Sequence, residues 1–480
     1  MITKIFTTVD QDAFAALSGD YNPMHMDTTA ARRTVAGAPV VHGVQVMLWA
    51  LEEIAAECPM ALLSELDADF ARFVYVGASV SLDWTFGSGG DLRIKVTDES
   101  CCLAQYRLRF GVRPAVVDWS PCASTDELYA AHCNDPLDRS WDHIGTVGGR
   151  VAFYKKPGTA CVAYPKLGDA LGGERIAGFL AMTRLVGMVA PGLHSTFHKI
   201  SATLTDEECS PEILEFAPFQ VNERFHLVSF SVRSSGVSGM LRASRRPLPL
   251  QQPSSAELGH VVGVSNAEAY VGHVALVVGG SRGIGEVVAK LLGLAKVEVI
   301  VTYVVGEDDA NAVVADIRSA GGKAHAHRLD VREEFASQIM DLPATPRSLY
   351  YFATERIVPR ISRSYDPKLF NRYCDIYLNS FQKLCQSLIV KGQTLHVFYP
   401  STVYVESAPA GLVEYGMAKA AAEILAIDLS RAGSGICVET VRLPRLPTDQ
   451  TNSLIKEQGT ESIAERLWPI IRRIESFGGK

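Results

Sequence analysis

Near the start of the chain, SGDYNPMHMD (18–27) gathers two carboxylates, an amide and an imidazole into one short stretch. Carboxylates and imidazoles move protons when something holds them against a reacting group, and the same residue types cap helices and fill polar turns. The stretch is either a catalytic turn or a capped loop. Far downstream, YGMAK places Tyr415 and Lys419 at i and i+4, on one face of a helix. There an ammonium can lower the phenol's pKa, and the phenol can pass a proton to a carbonyl. Between them, VVGGSRGIGE has glycines spaced for a tight turn that lets the backbone approach a pyrophosphate at a helix N-terminus.

The elements that must carry these residues differ along the chain. Upstream, PVVHGVQVMLWALEEIAAE (39–57) reads as one long apolar helix, while ASVSLDWTF, DLRIKVTD and LAQYRLRFGV alternate as antiparallel strands do. A helix wrapped by a sheet is an α+β unit. The middle region repeats that plan, with GERIAGFLAMTRLVGMVAPG as a second helix and HSTFHKISATL, FHLVSFSVRSSG and SGMLRASRR as strands. Two such units predict one extended sheet or two face-to-face halves. After the turn-forming RRPLPLQQPSSAELG (245–259), a domain boundary is expected near residue 265. Beyond it, EVIVTY and LHVFYP alternate with the helical DDANAVVADIRSAG and MAKAAAEILAIDLSRAG. That order predicts a doubly wound α/β parallel sheet.

FAALSGDYNPMHMD, VVHGVQVM and FARFVYVGASV, in that order within residues 14–80, resemble the MaoC-type (R)-specific enoyl-thioester hydratases, which have the hot-dog fold. The resemblance implies that Asp20 and His25 hold and activate a water between them while Asn22 fixes the turn. It also implies that Gly43 presents its backbone N–H to the thioester carbonyl, where the helix dipole favours developing negative charge. A side chain at 43 is expected to block that approach. Asp27 is expected to cap a helix, and His42 to orient the start of the long helix. The middle unit lacks an Asp-x-Asn-x-x-His block and resembles a degenerate second hot dog, making a double hot dog. His194 and His198 in HSTFH are not expected to bind metal, because i and i+4 lie far apart on a strand and no third ligand is suggested. No metal is expected elsewhere.

The glycine turn, Asp330 in RLDV, Asn379 in YLNSFQKL and the Tyr415–Lys419 pair together resemble the short-chain dehydrogenases/reductases. The resemblance implies a cofactor turn built from Gly279, Ser281, Arg282, Gly283, Ile284 and Gly285, with Asp330 against the adenine and Thr448 against the nicotinamide carboxamide. It makes Tyr415 the proton donor, Lys419 its partner and ribose ligand, and Asn379 the support of the proton relay. The hydroxyl that polarises the substrate comes from PST, as Ser401 or Thr402; Thr402 fits the usual spacing to Tyr415 better. Three features depart from the family: Arg445 stands for a glycine, YYFAT (350–354) stands for Asn-Asn-Ala-Gly, and IESFGGK falls where a last strand and dimer surface are usual. A homodimer is one candidate assembly. NAD-preferring members end the second strand with an acid. Here Tyr303 and Val304 occupy that place and Arg282 can attract a 2′-phosphate, so NADP(H) is favoured over NAD(H); Glu307 is expected to lie too far along to read the ribose unless a loop brings it back.

The bulk numbers exclude other classes. At 480 residues, with 47% hydrophobic and 21% charged content, the chain is globular and too long for one ordinary core. The expected division is 1–125 and 126–262 for the two hot dogs and 263–480 for the Rossmann domain. A net charge of -7 without charge runs argues against nucleic-acid or polybasic membrane binding. Ten scattered cysteines without Cys-x-x-Cys spacing suit a reducing cytoplasm, and no apolar window is long enough to insert in a membrane. The combined expectation is a bifunctional enzyme working on an acyl thioester of coenzyme A or acyl carrier protein. It would interconvert 3-ketoacyl and (R)-3-hydroxyacyl groups by hydride transfer, and (R)-3-hydroxyacyl and trans-2-enoyl groups by loss or gain of water. The alternative is a reductase of another carbonyl with a non-catalytic acyl-binding module.

Overall fold

Alternating apolar residues and tight turns build the first part of the chain into strands that all join one sheet. In a computed structural model the described residues are 2–98, 101–115, 127–207, 212–263, 270–357, 365–431, 433–452 and 461–476. They fall into two compact units, which part between Leu248 and Pro249. The position near 265 lies outside the described residues.

The first unit's strands are β1 (Ile2–Ile5), β2 (Leu63–Phe70), β3 (Ser79–Phe86), β4 (Leu92–Thr97), β5 (Cys102–Phe110), β6 (Leu128–Tyr129), β7 (Gly149–Ala152), β8 (Ser195–Leu204), β9 (Ile213–Asn222), β10 (Leu227–Ser234) and β11 (Val237–Arg245). Their order is β1-β3-β4-β5-β2-β8-β11-β10-β9-β7-β6, so the expected alternative of one extended sheet is the one found. β2 and β8 pair antiparallel, Ala68 opposite Ile200, and this pairing joins the upstream strands to the middle ones. Three helices position the residues of the front motif and their partners: α1 (Thr8–Ser18), α2 (Gly43–Ile54) and α3 (Gly173–Arg184). α2 is buried from Val44 to Leu51 and again at Ile54, as an apolar helix under a sheet must be. It is shorter than 39–57: His42 takes the N-cap position, and the chain leaves the helix at Ala55, ahead of Pro59. α3 is as fully buried from Ile176 to Arg184 and runs into a π-helical turn, Leu185–Val189.

The second unit's strands are β12 (Val274–Val278), β13 (Glu298–Tyr303), β14 (Lys323–Arg328), β15 (Ser348–Tyr351), β16 (Leu395–Thr402) and β17 (Ile436–Leu443). They form a parallel sheet in the order β14-β13-β12-β15-β16-β17. The helices α4 (Gly283–Leu294), α5 (Glu307–Ser319), α6 (Val413–Leu429) and α7 (Ile463–Ser476) belong to it. A short helix, Ser255–Val262, opens on a capping box of Ser254 and Glu257, and Ser255 bonds Asp316 of α5. Residues 255–262 therefore pack with the second unit. No helix among the described residues is long and apolar enough to cross a membrane.

Candidate active sites

The chain reverses sharply after α1. Gly19 closes that helix in the left-handed region, φ 75°, and a Cβ there would stand 2.5 Å from the Tyr154 ring. Asn22 then caps a single turn, Pro23–Met26, by accepting from the Met24 N–H, with Pro23 ready-set at its first position. This geometry turns Asp20 and His25 toward the same spot. The Asp20 carboxylate and the His25 and His42 ring nitrogens lie within 4.8 Å of one another.

Asp20 is buried, and partners from both parts of the unit hold it. Its Oδ2 accepts from the Thr183 hydroxyl at 2.7 Å and its Oδ1 from the Asn22 N–H at 3.2 Å. Burial raises its pKa, against the opposing pull of His25 and of the hydrogen bonds. The His25 Nδ1–H donates to the Val40 carbonyl at 2.7 Å, which leaves Nε2 as the basic nitrogen. Burial lowers the His25 pKa, and Arg246 lowers it further. His42 donates from Nε2 to the Asp20 carbonyl at 3.0 Å and stacks on His25, ring centroids 3.8 Å apart. Stacked rings direct their lone pairs in parallel rather than at one point, and this Nε2 is already engaged, so the trio is poorly shaped for a cation. Asp27 caps the next turn by accepting from Thr29 and Ala30.

Gly43 is the first residue of α2, so its N–H has no partner within the helix. A Cβ at Gly43 would meet the Phe70 ring at 3.0 Å. A side chain at 43 would therefore press first on Phe70 of β2. Gly187, in the π-helical turn, is the other required glycine, since a Cβ there would stand 2.2 Å from Asp20 Oδ1. Asn22 does more than shape its own turn. Its Nδ2 donates to the carbonyls of Gly187, Gly192 and Leu193. Sequence reasoning missed Thr183 and Gly187; a polar Thr183–Arg184 pair inside an apolar helix was the available signal. His194 and His198 diverge, the first toward Asp138 and the second to the Ser244 hydroxyl.

In the second unit, β12 ends at Val278 and α4 begins at Gly283. Gly285 is needed there, as a Cβ would lie 2.3 Å from the Gly279 carbonyl oxygen. Thr302 ties the turn to β13, accepting from the Gly279 N–H. Ser281 is buried, and Ile284 packs at the margin of the core beneath the turn. Thr448 comes beside Gly283, where a Cβ would touch its Cγ2 at 3.5 Å. Arg282 lies 3.9 Å from Asp449, and Arg445 bonds the Thr451 carbonyl. The Asp330 carboxylate is taken up by Arg332, at 3.0 and 2.9 Å, which lowers its pKa. Burial raises the Tyr303 pKa, and Glu307 at the start of α5 raises it further.

Tyr415 and Lys419 share a face of α6. Thr402 lies on the Tyr415 side, its hydroxyl accepting from the Tyr404 N–H at 3.2 Å, whereas Ser401 turns away and donates to Glu423 at 2.5 Å. Successive residues of a strand face opposite sides, and this separates the two hydroxyls. Burial pushes Tyr415 up to about 12, and Thr402 opposes the rise. Lys419 is held by other groups on that face. Its Nζ donates to the Pro400 carbonyl at 2.8 Å and sits over the rings of Tyr377 at 4.2 Å and Tyr399 at 4.6 Å. Burial pushes Lys419 down to about 7. Asn379 is a correction: it is exposed and bonds Asp375 rather than approaching the pair. The π-helical turn Asp375–Ser380 points Tyr377 inward instead, its hydroxyl 2.6 Å from that of Thr354.

Both halves of this geometry have relatives. Residues 3–97 match the family model of the MaoC like domain, and residues 273–458 that of short chain dehydrogenases. The chain joins a MaoC-like domain to a short-chain dehydrogenase domain. The MaoC-like domain is 32% identical over 78 residues to a mitochondrial 3-hydroxyacyl-[acyl-carrier-protein] dehydratase of Arabidopsis thaliana, covering 16% of this chain and 47% of that one. It is 44% identical over 43 residues to an (R)-specific enoyl-CoA hydratase of Aeromonas caviae, covering 9% and 32%. The dehydrogenase domain is 42% identical over 71 residues to a short chain dehydrogenase of Passalora fulva, covering 15% and 26%. The chain thus spans less than half the length of each of these relatives.

Proposed function

We propose that the protein is a bifunctional acyl-thioester enzyme, a hydratase/dehydratase and an NADP(H)-dependent ketoreductase on one chain. The observation that carries the first activity is the convergence of Asp20 and the free Nε2 of His25 beside the unpaired N–H groups that open α2. In hydration, water held by Asp20 and His25 loses a proton to the pair as its oxygen bonds C3 of a trans-2-enoyl thioester. The C2=C3 electron pair moves toward the carbonyl, whose negative charge the Gly43 N–H stabilises, and a proton from the pair completes C2. Dehydration runs the same steps backward. The strands and helix of the middle region form a degenerate second hot dog, which adds Thr183 and the loop that Asn22 clasps.

The glycine turn at the start of α4 suits a dinucleotide pyrophosphate, with Thr448 beside it. A bound nicotinamide cofactor supplies or accepts the hydride. Tyr415 donates the proton to the carbonyl oxygen of a 3-ketoacyl thioester, and Thr402 orients both groups. Arg282 and the lack of an acid at Tyr303 and Val304 support NADP(H). The carrier is coenzyme A or an acyl carrier protein, in fatty-acid-like or polyketide-like metabolism, and the protein acts in the cytoplasm with a homodimer as its candidate assembly.

The test is to assay enoyl-thioester hydration and acetoacetyl-thioester reduction separately. Asp20→Asn and His25→Ala should abolish the first and spare the second; unchanged hydration would overturn the assignment. A second reading draws on Lys419, engaged by Pro400 and two tyrosine faces: a dehydrogenase domain that binds no nucleotide. Titrating the protein with NADPH and NADH by fluorescence separates the two.

A further inference from the structure

The first unit buries a guanidinium that makes no ion pair among the described residues. Arg246, which follows β11, is 6% exposed, and it closes on three successive carbonyls of one loop. Its backbone N–H donates to His194 at 2.8 Å, Nη2 to Leu193 at 2.7 Å and Nη1 to Ser195 at 2.7 Å. Nη1 also touches the Met24 sulfur, inside the turn that carries His25. The Leu193 carbonyl that Arg246 grips is one of those that Asn22 Nδ2 grips from the other side. A buried charge left without a counter-ion costs stability, and carbonyl dipoles offset that cost only in part.

We propose that Arg246 is a positioning residue of the Asp20–His25 site. It clamps the 193–195 loop beneath the catalytic turn and fixes an uncompensated positive charge under His25, so that the imidazole works as a base. The inference rests on the hydratase reading of that site. The charged and titratable groups facing His25 are Asp20 on its own turn, His42 stacked from the cap of α2, and Arg246 from beyond β11; Arg184 on α3 acts on Asp20. Arg246 opposes protonation of His25, Asp20 favours it, and stacked His42 disfavours a second charge. His194 and Arg245 lie on the neighbouring backbone but turn to Asp138. Burial and Arg246 together push His194 down to about 4, so the same guanidinium is felt by both imidazoles.

The test combines rates with direct titration of His25. In Arg246→Met the acid limb of the hydration pH profile should move to higher pH, giving about a tenfold loss at acid pH for every pH unit the limb moves and little loss at alkaline pH. Arg246→Lys should keep the limb near its original place, and Arg245→Met should leave it unmoved. A uniform loss at all pH values in Arg246→Met would reduce Arg246 to a structural clamp and overturn the proposal. Imidazole NMR gives an answer even if no hydration is found. In the unaltered protein His25 should titrate below the ordinary imidazole value, and an ordinary or raised value would overturn the proposal even where Arg246→Met fails to fold. Absence of hydration with a depressed His25 titration would instead count against the hydratase reading alone.

Discussion

The Thr183 hydroxyl donates to the Asp20 carboxylate at 2.7 Å, linking residues 163 positions apart in the chain. The carboxylate on the front turn is thereby oriented by a helix of the middle region. A hydrogen bond to a charged group contributes about 1.5–3 kcal/mol. Thr183→Val should therefore cut enoyl-thioester hydration by about tenfold or more, while Thr183→Ser, which keeps the hydroxyl, restores most of it. Steady-state hydration rates of the two variants check this.

Gly187→Ala addresses the same carboxylate from the backbone side. The added methyl would stand 2.2 Å from Asp20 Oδ1, so either the carboxylate or the π-helical turn must move. Hydration should fall to background while ketoreduction is retained. Equal loss of both activities would show general unfolding instead, and circular dichroism tells the cases apart.

In the dehydrogenase domain the two candidate hydroxyls make opposite predictions. Thr402→Val removes the hydroxyl on the Tyr415 side of the strand and should reduce carbonyl reduction by about a hundredfold or more, the usual scale for acid–base partners. Ser401→Ala loosens the contact with Glu423 and should cost far less. Asn379→Ala, altering an exposed side chain bonded to Asp375, should be close to neutral. NADPH oxidation with acetoacetyl thioester measures all three.

Lys419 is predicted to carry a cost in stability. Its pKa in the folded protein, about 7, lies below the ordinary lysine value, so the unfolded chain holds the proton more tightly. The penalty for burying the ammonium is full below pH 7 and fades as pH rises toward the unfolded value, so this residue makes stability increase across that window. Lys419→Met should abolish reduction yet raise the melting temperature by about 2–4 °C or more at neutral pH, a gain of at least about 1 kcal/mol for a domain of this size. Calorimetry at neutral and alkaline pH checks both the gain and its disappearance.

Much of both sites was legible because it is local. Gly19, Asp20, Asn22, Pro23 and His25 lie within one reversal of the chain, and its cap chemistry follows from residue types alone. Tyr415 and Lys419 share a helix face by spacing. Asn379 shows where local reasoning ended: it was placed by similarity, but the π-helical turn beginning at Asp375 rotates Tyr377 inward and leaves Asn379 outside. Nor could spacing show that Lys419 spends its charge on Pro400 and two aromatic faces.

The sequence by itself determined the two families, the order of elements and the residues of the front turn, because caps, periodicity and short motifs act over a few residues. Tertiary structure decided which groups hold the chemistry in place. Pairing of β2 with β8 puts both parts of the first unit on one sheet, where Thr183, Gly187 and Arg246 surround Asp20 and His25. Side chains that meet only after long-range pairing leave no periodic trace, since packing and buried electrostatics depend on distance in space rather than along the chain.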